Sequence, residues 1–316
     1  ATEAASRSAI FAWEGKHKER YPGIDFGHAS AECWDIGDPF DSFQWRRVYY
    51  HEHMRRLHKE LGRTLVGLEV GALHHPAPVP FSLVNMTYAD STDSSGLRMK
   101  YPEVNANEFA AAHIVTDAET LTKVDDASYD VLIESHLLEH TRHFLLALQN
   151  GLRVLKEGGL YFIMLPNMCT TFDRFRVQTS WEHLLLEYLQ PSLVDTNEFE
   201  HHREWALSHH TSTGKYEQRE DLPGAFEFAQ KTFSSPMLRR YYIHYHTFTP
   251  RSAAQIFAAA RVVITSSAFE VVDFYHRQTD MAIVLRKVNK TSNQVGRKSF
   301  MTPSVLTTRD IYDALL

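Results

Sequence analysis

Two short apolar runs, "SYDVLIES" (128–135) and "GLYFIMLPN" (159–167), flank "LLEHTRHFLLALQNGLRVLKEG" (137–158). The flanking runs are rich in branched and aromatic side chains and have strand length. The middle segment repeats its apolar residues at helical spacing, and Gly158-Gly159 punctuates its end. Strand, helix and strand in that order predict a parallel pair joined by a crossover helix.

The same alternation extends upstream. "TLVGLEVG" (64–71) reads as a first strand and "LVNMTYAD" (83–90) as a second ending on an acid. "AAHIVTDAETL" holds a short third strand ending at Asp117. Downstream, "FEVVDFYH" and "MAIVLRKV" are joined only by Arg277-Gln278-Thr279-Asp280. So short a link demands an antiparallel pair, since a parallel crossover takes a dozen residues or more. Between these halves, residues 168–249 are helical and dense in His, Tyr, Arg and Trp, and read as a lid or substrate insertion. Residues 1–62 read as an N-terminal helical cap in which "SFQWRRVYYHEHMRRLHKELG" places Trp45, Val48, Tyr49, Met54 and Leu57 near helical spacing and Gly62 at the C-cap. The expected organisation is therefore a cap (1–62), a cofactor-binding half (63–167), the insertion (168–249), the rest of the sheet (250–290, opening with the helix "PRSAAQIFAAAR") and a polar tail (291–316).

Bulk properties narrow the partners. At 316 residues, with 43% hydrophobic and 23% charged residues, the chain has the composition of a soluble globular protein. The net charge of −6 comes with no basic block, which disfavours nucleic acid. No apolar run approaches the roughly 18–20 residues that cross a bilayer, and no leader-like apolar core stands at the start, so no membrane partner is expected. Cys33 and Cys169 form no disulfide or metal pattern, which points to a reducing, cytoplasmic location. Oligomeric state is not indicated.

Open α/β sheets bind ligands at the carboxyl ends of their strands. Those ends carry Glu69 with Gly71 and Ala72, Asp90, Asp117 with Ala118, and Ser135-His136. Asp90 follows Glu69 by 21 residues, a spacing that suits an acid receiving ribose hydroxyls. The loop "LEVGALHHP" (68–76) lacks the second and third glycines of a dinucleotide fingerprint. Its Gly71-Ala72 backbone admits a small group but suits a pyrophosphate poorly. A donor with ribose and adenine but no phosphate, S-adenosylmethionine, fits better. Glu69 would then face its ammonium, Asp117 its adenine amino group, and His75 would line the pocket.

"VDDASYDVLIESHLLEHTRHFLLALQNGLRVLKEGGLYFIMLPN" resembles the class I S-adenosylmethionine-dependent methyltransferases. The likeness lies in Asp130 followed by Leu138-Glu139-His140, then Arg153-Val154-Leu155-Lys156 with Gly158-Gly159. It is narrower to a group of bacterial-type methyltransferases, through "LEVGALHHP", an LExGAL first motif, together with "TFDRFRVQTSWEHLL", "HHREWA" and "YYIHYHTFTP". The resemblance implies a Rossmann-like seven-stranded mixed α/β sheet with an antiparallel last strand. It also implies S-adenosylmethionine as donor and S-adenosylhomocysteine as product; enclosure by aromatic residues and the lack of a basic patch favour a small-molecule acceptor, O- or N-methylated.

Histidine-rich segments supply the candidate catalytic groups. His136, His183, His244 and His246 are expected as bases, with Asp173 as an orienting partner. Arg174 and Arg176 are expected to grip an anionic substrate, with His201, His202 and Tyr242 lining its site. In "YYIHYHTF", read as a strand, His244 and His246 share one face. Such histidines suit a divalent metal, but polar pocket lining is the favoured reading and no metal ligands are assigned. Two rival functions remain: a nicotinamide-dependent oxidoreductase on a similar fold, or a non-catalytic, possibly metal-loaded, binding protein.

Overall fold

The structure, a computed structural model, describes residues 42–102, 104, 109–212, 222–236, 238–240, 242–276 and 279–289. Most of the expected cap, the tail 291–316, Cys33, Arg277 and Gln278 lie outside the described residues.

Seven strands form one sheet: β1 (Leu65–Val70), β2 (Val84–Asp90), β3 (Ile114–Val115), β4 (Tyr129–Ser135), β5 (Leu155–Pro166), β6 (Phe269–His276) and β7 (Asp280–Lys287). Their order is β3-β2-β1-β4-β5-β7-β6. β1 to β5 pair in parallel, whereas β7 runs antiparallel to both β5 and β6. The expected mixed Rossmann-like sheet is therefore the observed one. β4, β5 and β7 carry long unbroken buried runs, as strands covered on both faces must.

Helix α1 (Ser42–Leu61) covers one face. It lays Trp45, Tyr49, Tyr50, Met54 and Leu57 against Leu65, Val131, Ile133, Phe162 and Met164. Gly62 closes α1 at φ 64°, with its N–H bonded to the His58 carbonyl. A short helix α2 (Ser94–Lys100) follows β2, capped by Asp93. The opposite face is covered by α3 (Phe144–Val154) and, late in the chain, α7 (Pro250–Val263). Thr249 and Ser252 bond reciprocally across the start of α7 and Pro250 occupies its first turn, two signals that fix a helix start.

The crossover helix is shorter than expected. Leu138–His140 is a separate 3-10 turn, α3 ends at Val154, and β5 begins at Leu155. Lys287 Nζ donates to the carbonyls of Arg153 (3.3 Å) and Leu155 (2.6 Å). This cation from β7 satisfies carbonyls that a continuing helix would have used. Gly158, at φ 79°, then allows the kink inside the strand.

The insertion contains α4 (Trp181–Leu189), α5 (Ser192–Ser212) and α6 (Leu222–Ser234). α5 and α6 share a small core of Trp205, Ala206 and Ala229 with Ile243 and Tyr245, whereas Leu184 of α4 packs into the main core. Cys169 is disulfide-bonded, with its partner outside the described residues. This corrects the reading of unpaired cysteines and removes the ground for a reducing compartment.

Asp130 ties down the opposite, amino-terminal edge of the sheet. Its carboxylate, 2% exposed, accepts both nitrogens of the Arg63 fork (2.6 and 2.7 Å) and the Val66 N–H (2.8 Å), and Lys156 lies 3.2 Å away. Despite burial, which raises the carboxyl pKa, these partners hold it below the usual range. Asp130→Asn should lower stability by about 1–3 kcal/mol in urea unfolding at pH 7. With a depressed folded pKa, the wild-type advantage is present above the ordinary carboxylate pKa and disappears as pH falls through the folded value.

Candidate active site

The chain leaves β1 toward β2 and β3, then returns to β4 on the other side of β1. That reversal opens a crevice at the carboxyl ends of β1 and β4. Gly71 turns the chain there at φ 73°, and a Cβ would come within 3.1 Å of Leu137. His136 faces the same crevice from β4 at φ 52°, a conformation costing a non-glycine residue about 1–3 kcal/mol.

Glu69 is buried and its carboxyl accepts the Ala77 N–H (2.9 and 3.1 Å), so it fastens the far side of the "GALHHPA" loop. Burial pushes its pKa up to about 8, with the Ala77 bond opposing. The imidazoles of His74 and His75 stand 3.9 Å apart in this loop, and Ala72 is buried. At the end of β2, Asp90 Oδ1 accepts the Ser91 N–H (2.7 Å) and hydroxyl (3.1 Å). Burial raises the Asp90 pKa, against these bonds and the charge of Lys100. Asp117 Oδ1 caps a turn by accepting the N–H groups of Glu119 (3.0 Å) and Thr120 (3.1 Å), while Oδ2 lies 3.4 Å from Arg240. Ala118 is buried beside it. The predicted acids thus end neighbouring strands along one edge.

Past Ser135, His136 joins a charged cluster. Its Nε2 lies 3.2 Å from Asp280 Oδ1 and 2.9 Å from Arg46, and its Nδ1 lies 3.5 Å from Glu139 Oε1. Arg46 also donates to Asp280 Oδ2 (2.7 Å). Burial opposes protonation, but the two carboxylates outweigh it and push the His136 pKa up to about 9. His136 Nε2 thus stands between an acceptor, Asp280, and a donor, the Arg46 guanidinium, and its protonation decides which bond forms. Asp280 is pulled down to about 2 by His136 and Arg46 despite its burial. The raised pKa opposes the role of neutral base expected of His136.

The histidines of the insertion separate into two groups. In the first, Asp173 Oδ2 holds His244 Nδ1 at 2.5 Å, and His140 stands edge-on to His244 with ring centres 4.6 Å apart. His140 Nδ1 lies 2.9 Å from the Ile243 carbonyl, and burial drives its pKa down to about 4. In the second, His183, His201 and His246 surround Glu187. Burial lowers His246 to about 3, against the pull of Glu187. Glu139, His140 and His244 form one set with metal-ligand spacing, and His183, Glu187 and His201 another.

"YYIHYHTF" is not a strand: among its described residues only Phe248 makes a β-bridge, to Asn167. The Glu139 carbonyl accepts the N–H groups of both Tyr245 (2.8 Å) and His246 (3.2 Å), which bends the segment and sends His244 and His246 to different clusters. Arg176 is also placed otherwise than expected. Its buried guanidinium donates to Asp173 Oδ1 (3.1 Å) and to the carbonyls of His244 (2.7 Å) and Tyr245 (3.1 Å), so it clamps the chain and has no fork free for a substrate. Arg174 is exposed. His202 is buried against Thr232 (2.8 Å) and Tyr245 (3.4 Å), inside the insertion. Tyr242 packs edge-on to Trp205 at 5.8 Å.

Four contributors escaped sequence reading: Arg46, Tyr50, Asp280 and Glu187. Arg46 and Tyr50 sit four apart on α1, and a basic residue on that helix's apolar face was the available signal. Asp280 reaches the edge because β7 is antiparallel and begins there, opposite Pro166. Glu187 follows His183 by one helical turn in "HLLLE".

Residues 87–163 match the family profile described as "Methyltransferase domain". No curated protein matches the chain. Solved structures with a similar trace include the CurJ carbon methyltransferase, at 12% identity and TM-score 0.36, covering 72% of this chain and 49% of that one. A S-adenosylmethionine-dependent methyltransferase from Methanosarcina mazei aligns at 14% identity and TM-score 0.38, over 74% and 98% of the two chains. The 1,6-didemethyltoxoflavin-N1-methyltransferase of Burkholderia thailandensis, solved with 1,6-didemethyltoxoflavin and S-adenosylhomocysteine, aligns at 12% and 0.36, over 83% and 98%. The chain thus spans about half of the first of these proteins and nearly all of the other two. No residue role is transferred from them.

The raised pKa of Glu69 has a measurable consequence. A carboxyl whose folded pKa exceeds its unfolded value stabilises below the unfolded pKa, and that contribution is lost as pH rises toward the folded one. Glu69→Gln should therefore leave stability almost unchanged near pH 5 but flatten its decline between about pH 4.5 and 8. Chemical denaturation across that range measures both; an unaltered slope would place the proton elsewhere.

Proposed function

We propose that the chain carries a class I S-adenosylmethionine-dependent methyltransferase domain and that it methylates a small-molecule acceptor held between the β4 edge and the helical insertion. The observation that carries this reading is the ordered set of acids at one sheet edge: Glu69, Asp90 and Asp117 end β1, β2 and the β3 turn beside Ser135-His136. S-adenosylmethionine supplies a sulfonium-activated methyl group and leaves as S-adenosylhomocysteine. Asp90 accepts the ribose hydroxyls through Oδ2, since Ser91 takes Oδ1. Asp117 and Ala118 hold the adenine edge. Gly71 and Ala72 let backbone approach closely, while Glu69 keeps the loop folded and His75 lines its outer side. Arg46 and protonated His136 supply positive charge for the donor's carboxylate.

On the acceptor side, Asp173 fixes the tautomer of His244, which leaves Nε2 to receive a proton from a hydroxyl or ammonium acceptor. Asp173 is thus a positioning residue for His244. Aromatic neighbours such as Phe172, 4.8 Å from His244, exclude water from the acceptor and favour a small one. Holding acceptor and donor in line accounts for most of the expected acceleration.

Calorimetry on the full chain tests the donor. S-adenosylmethionine and S-adenosylhomocysteine should bind and NAD should not; binding of NAD alone would reverse the assignment. Asp90→Ala should weaken S-adenosylhomocysteine at least tenfold, the loss of about 1.4 kcal/mol or more from a charged hydrogen bond. Transfer of labelled methyl to small hydroxyl or amino compounds is expected, and labelling only of protein or nucleic acid would refute a small acceptor.

A further inference from the structure

We propose that His183, Glu187 and His201 form a divalent-metal site, best suited to zinc, that ties α4 to α5 within the helical insertion, with His246 packed beside it. Four separate features of the geometry converge on it.

The donors come from two helices. His183 and Glu187 lie one turn apart on α4 and His201 projects from α5, with their ligand atoms within 4.8 Å of one another, while His246, from the irregular segment before α7, stands beside them. His183 Nε2 is 3.0 Å and His201 Nε2 3.5 Å from Glu187 Oε1, and His246 Nε2 is 3.8 Å from Oε2. A tetrahedral zinc with bonds of about 2.0–2.1 Å sets its ligand atoms about 3.3–3.4 Å apart. The observed separations bracket that value.

The contacts are not hydrogen bonds. Both Glu187 oxygens, His183 Nε2 and both nitrogens of His246 are buried without a hydrogen-bond partner among the described residues, although His183 and Glu187 approach to 3.0 Å. The ring nitrogens are therefore directed past the carboxylate oxygen and not at it, as expected when donors share a third point.

Burial and charge agree. The side chains of His246, Glu187 and His201 are 0%, 4% and 9% exposed, so two buried imidazoles and the part-exposed His183 meet one buried carboxylate. Such a carboxylate without bonded partners is costly. A doubly charged ion coordinated by neutral imidazoles and one carboxylate removes that cost, and this nitrogen-rich set suits zinc, iron or nickel over magnesium or calcium.

The neighbouring set of Glu139, His140 and His244 differs. Its carboxylate already faces the His136 imidazole at 3.5 Å. The His183 site joins α4 to α5 through three protein ligands, and a water or other exogenous ligand would complete four-coordination of zinc.

Metal content of the purified full chain, measured by plasma mass spectrometry after gel filtration, tests the site. About one equivalent of zinc is expected per chain. Cobalt added to chelator-treated protein should give the intense visible bands of a four-coordinate ion. Glu187→Gln should abolish stoichiometric metal, while Glu139→Gln should retain it. Because a buried substitution can prevent folding, His183→Gln, at a one-third-exposed side chain, serves as a second variant and should weaken zinc at least tenfold with its circular dichroism unchanged. A wild-type chain that binds neither zinc nor cobalt, or one whose metal is lost in Glu139→Gln and kept in Glu187→Gln, overturns the proposal.

Discussion

β1 and β4 lie side by side in register from Gly67–Val131 to Val70–Glu134, although β2, α2 and β3 intervene between them in the chain. This pairing is the constraint on which the site depends. With β2 and β3 built outward from β1 and β5 outward from β4, the loops after β1 and β4 diverge. Gly71 and His136, at φ 73° and 52°, are the turns that this divergence imposes. The antiparallel β7 then delivers its first residue, Asp280, to the same edge, and α1 delivers Arg46 and Tyr50 from the face it covers. Residues far apart in the chain therefore meet because strand order and direction leave one edge open.

The strand pattern was readable because each strand is a compact apolar run, and the short β6–β7 link admits one direction only. Glu69, Asp90 and Asp117 were readable because each closes such a run. Helix limits were less so: Leu155 and Lys156 continue the periodicity of α3, and only the β4 pairing and Lys287 show that the strand has begun. Alternation in "YYIHYHTF" misled because both sides of that segment are buried, so the pleat rule for a half-exposed strand has nothing to select. Arg176 looked like a substrate fork because sequence reveals a guanidinium's charge but not the backbone carbonyls that occupy it. Arg46 and Asp280 each required a partner from a distant element, and no local periodicity encodes that.

The buried carboxyls divide by what surrounds them. Glu69 and Glu134 project from the central strands, where a backbone N–H and the Tyr161 hydroxyl are the partners, and burial pushes both up to about 8. Asp280, Asp173, Glu139 and Glu187 stand at the rim, where histidines or arginines face them and their pKa values fall. Carboxyls of the central strands are thus held toward the neutral form, whereas those facing histidines or arginines are held toward the ionised one.

The rim also links the insertion to the sheet. Glu139 sits in the 3-10 turn after β4; its carboxylate faces His136, while its carbonyl holds the backbone of Tyr245 and His246. Arg176 grips the same segment from the other side through the His244 and Tyr245 carbonyls. His244 and His246 are consequently held at the backbone and not by strand pairing, and each side chain is free to point to its own cluster. A shift of His246 would pull, through the Glu139 carbonyl, on the turn whose carboxylate faces His136. The irregular backbone of 242–249 thus connects the insertion to the carboxyl end of β4, which a regular strand, with its hydrogen bonds given to neighbours, would not do.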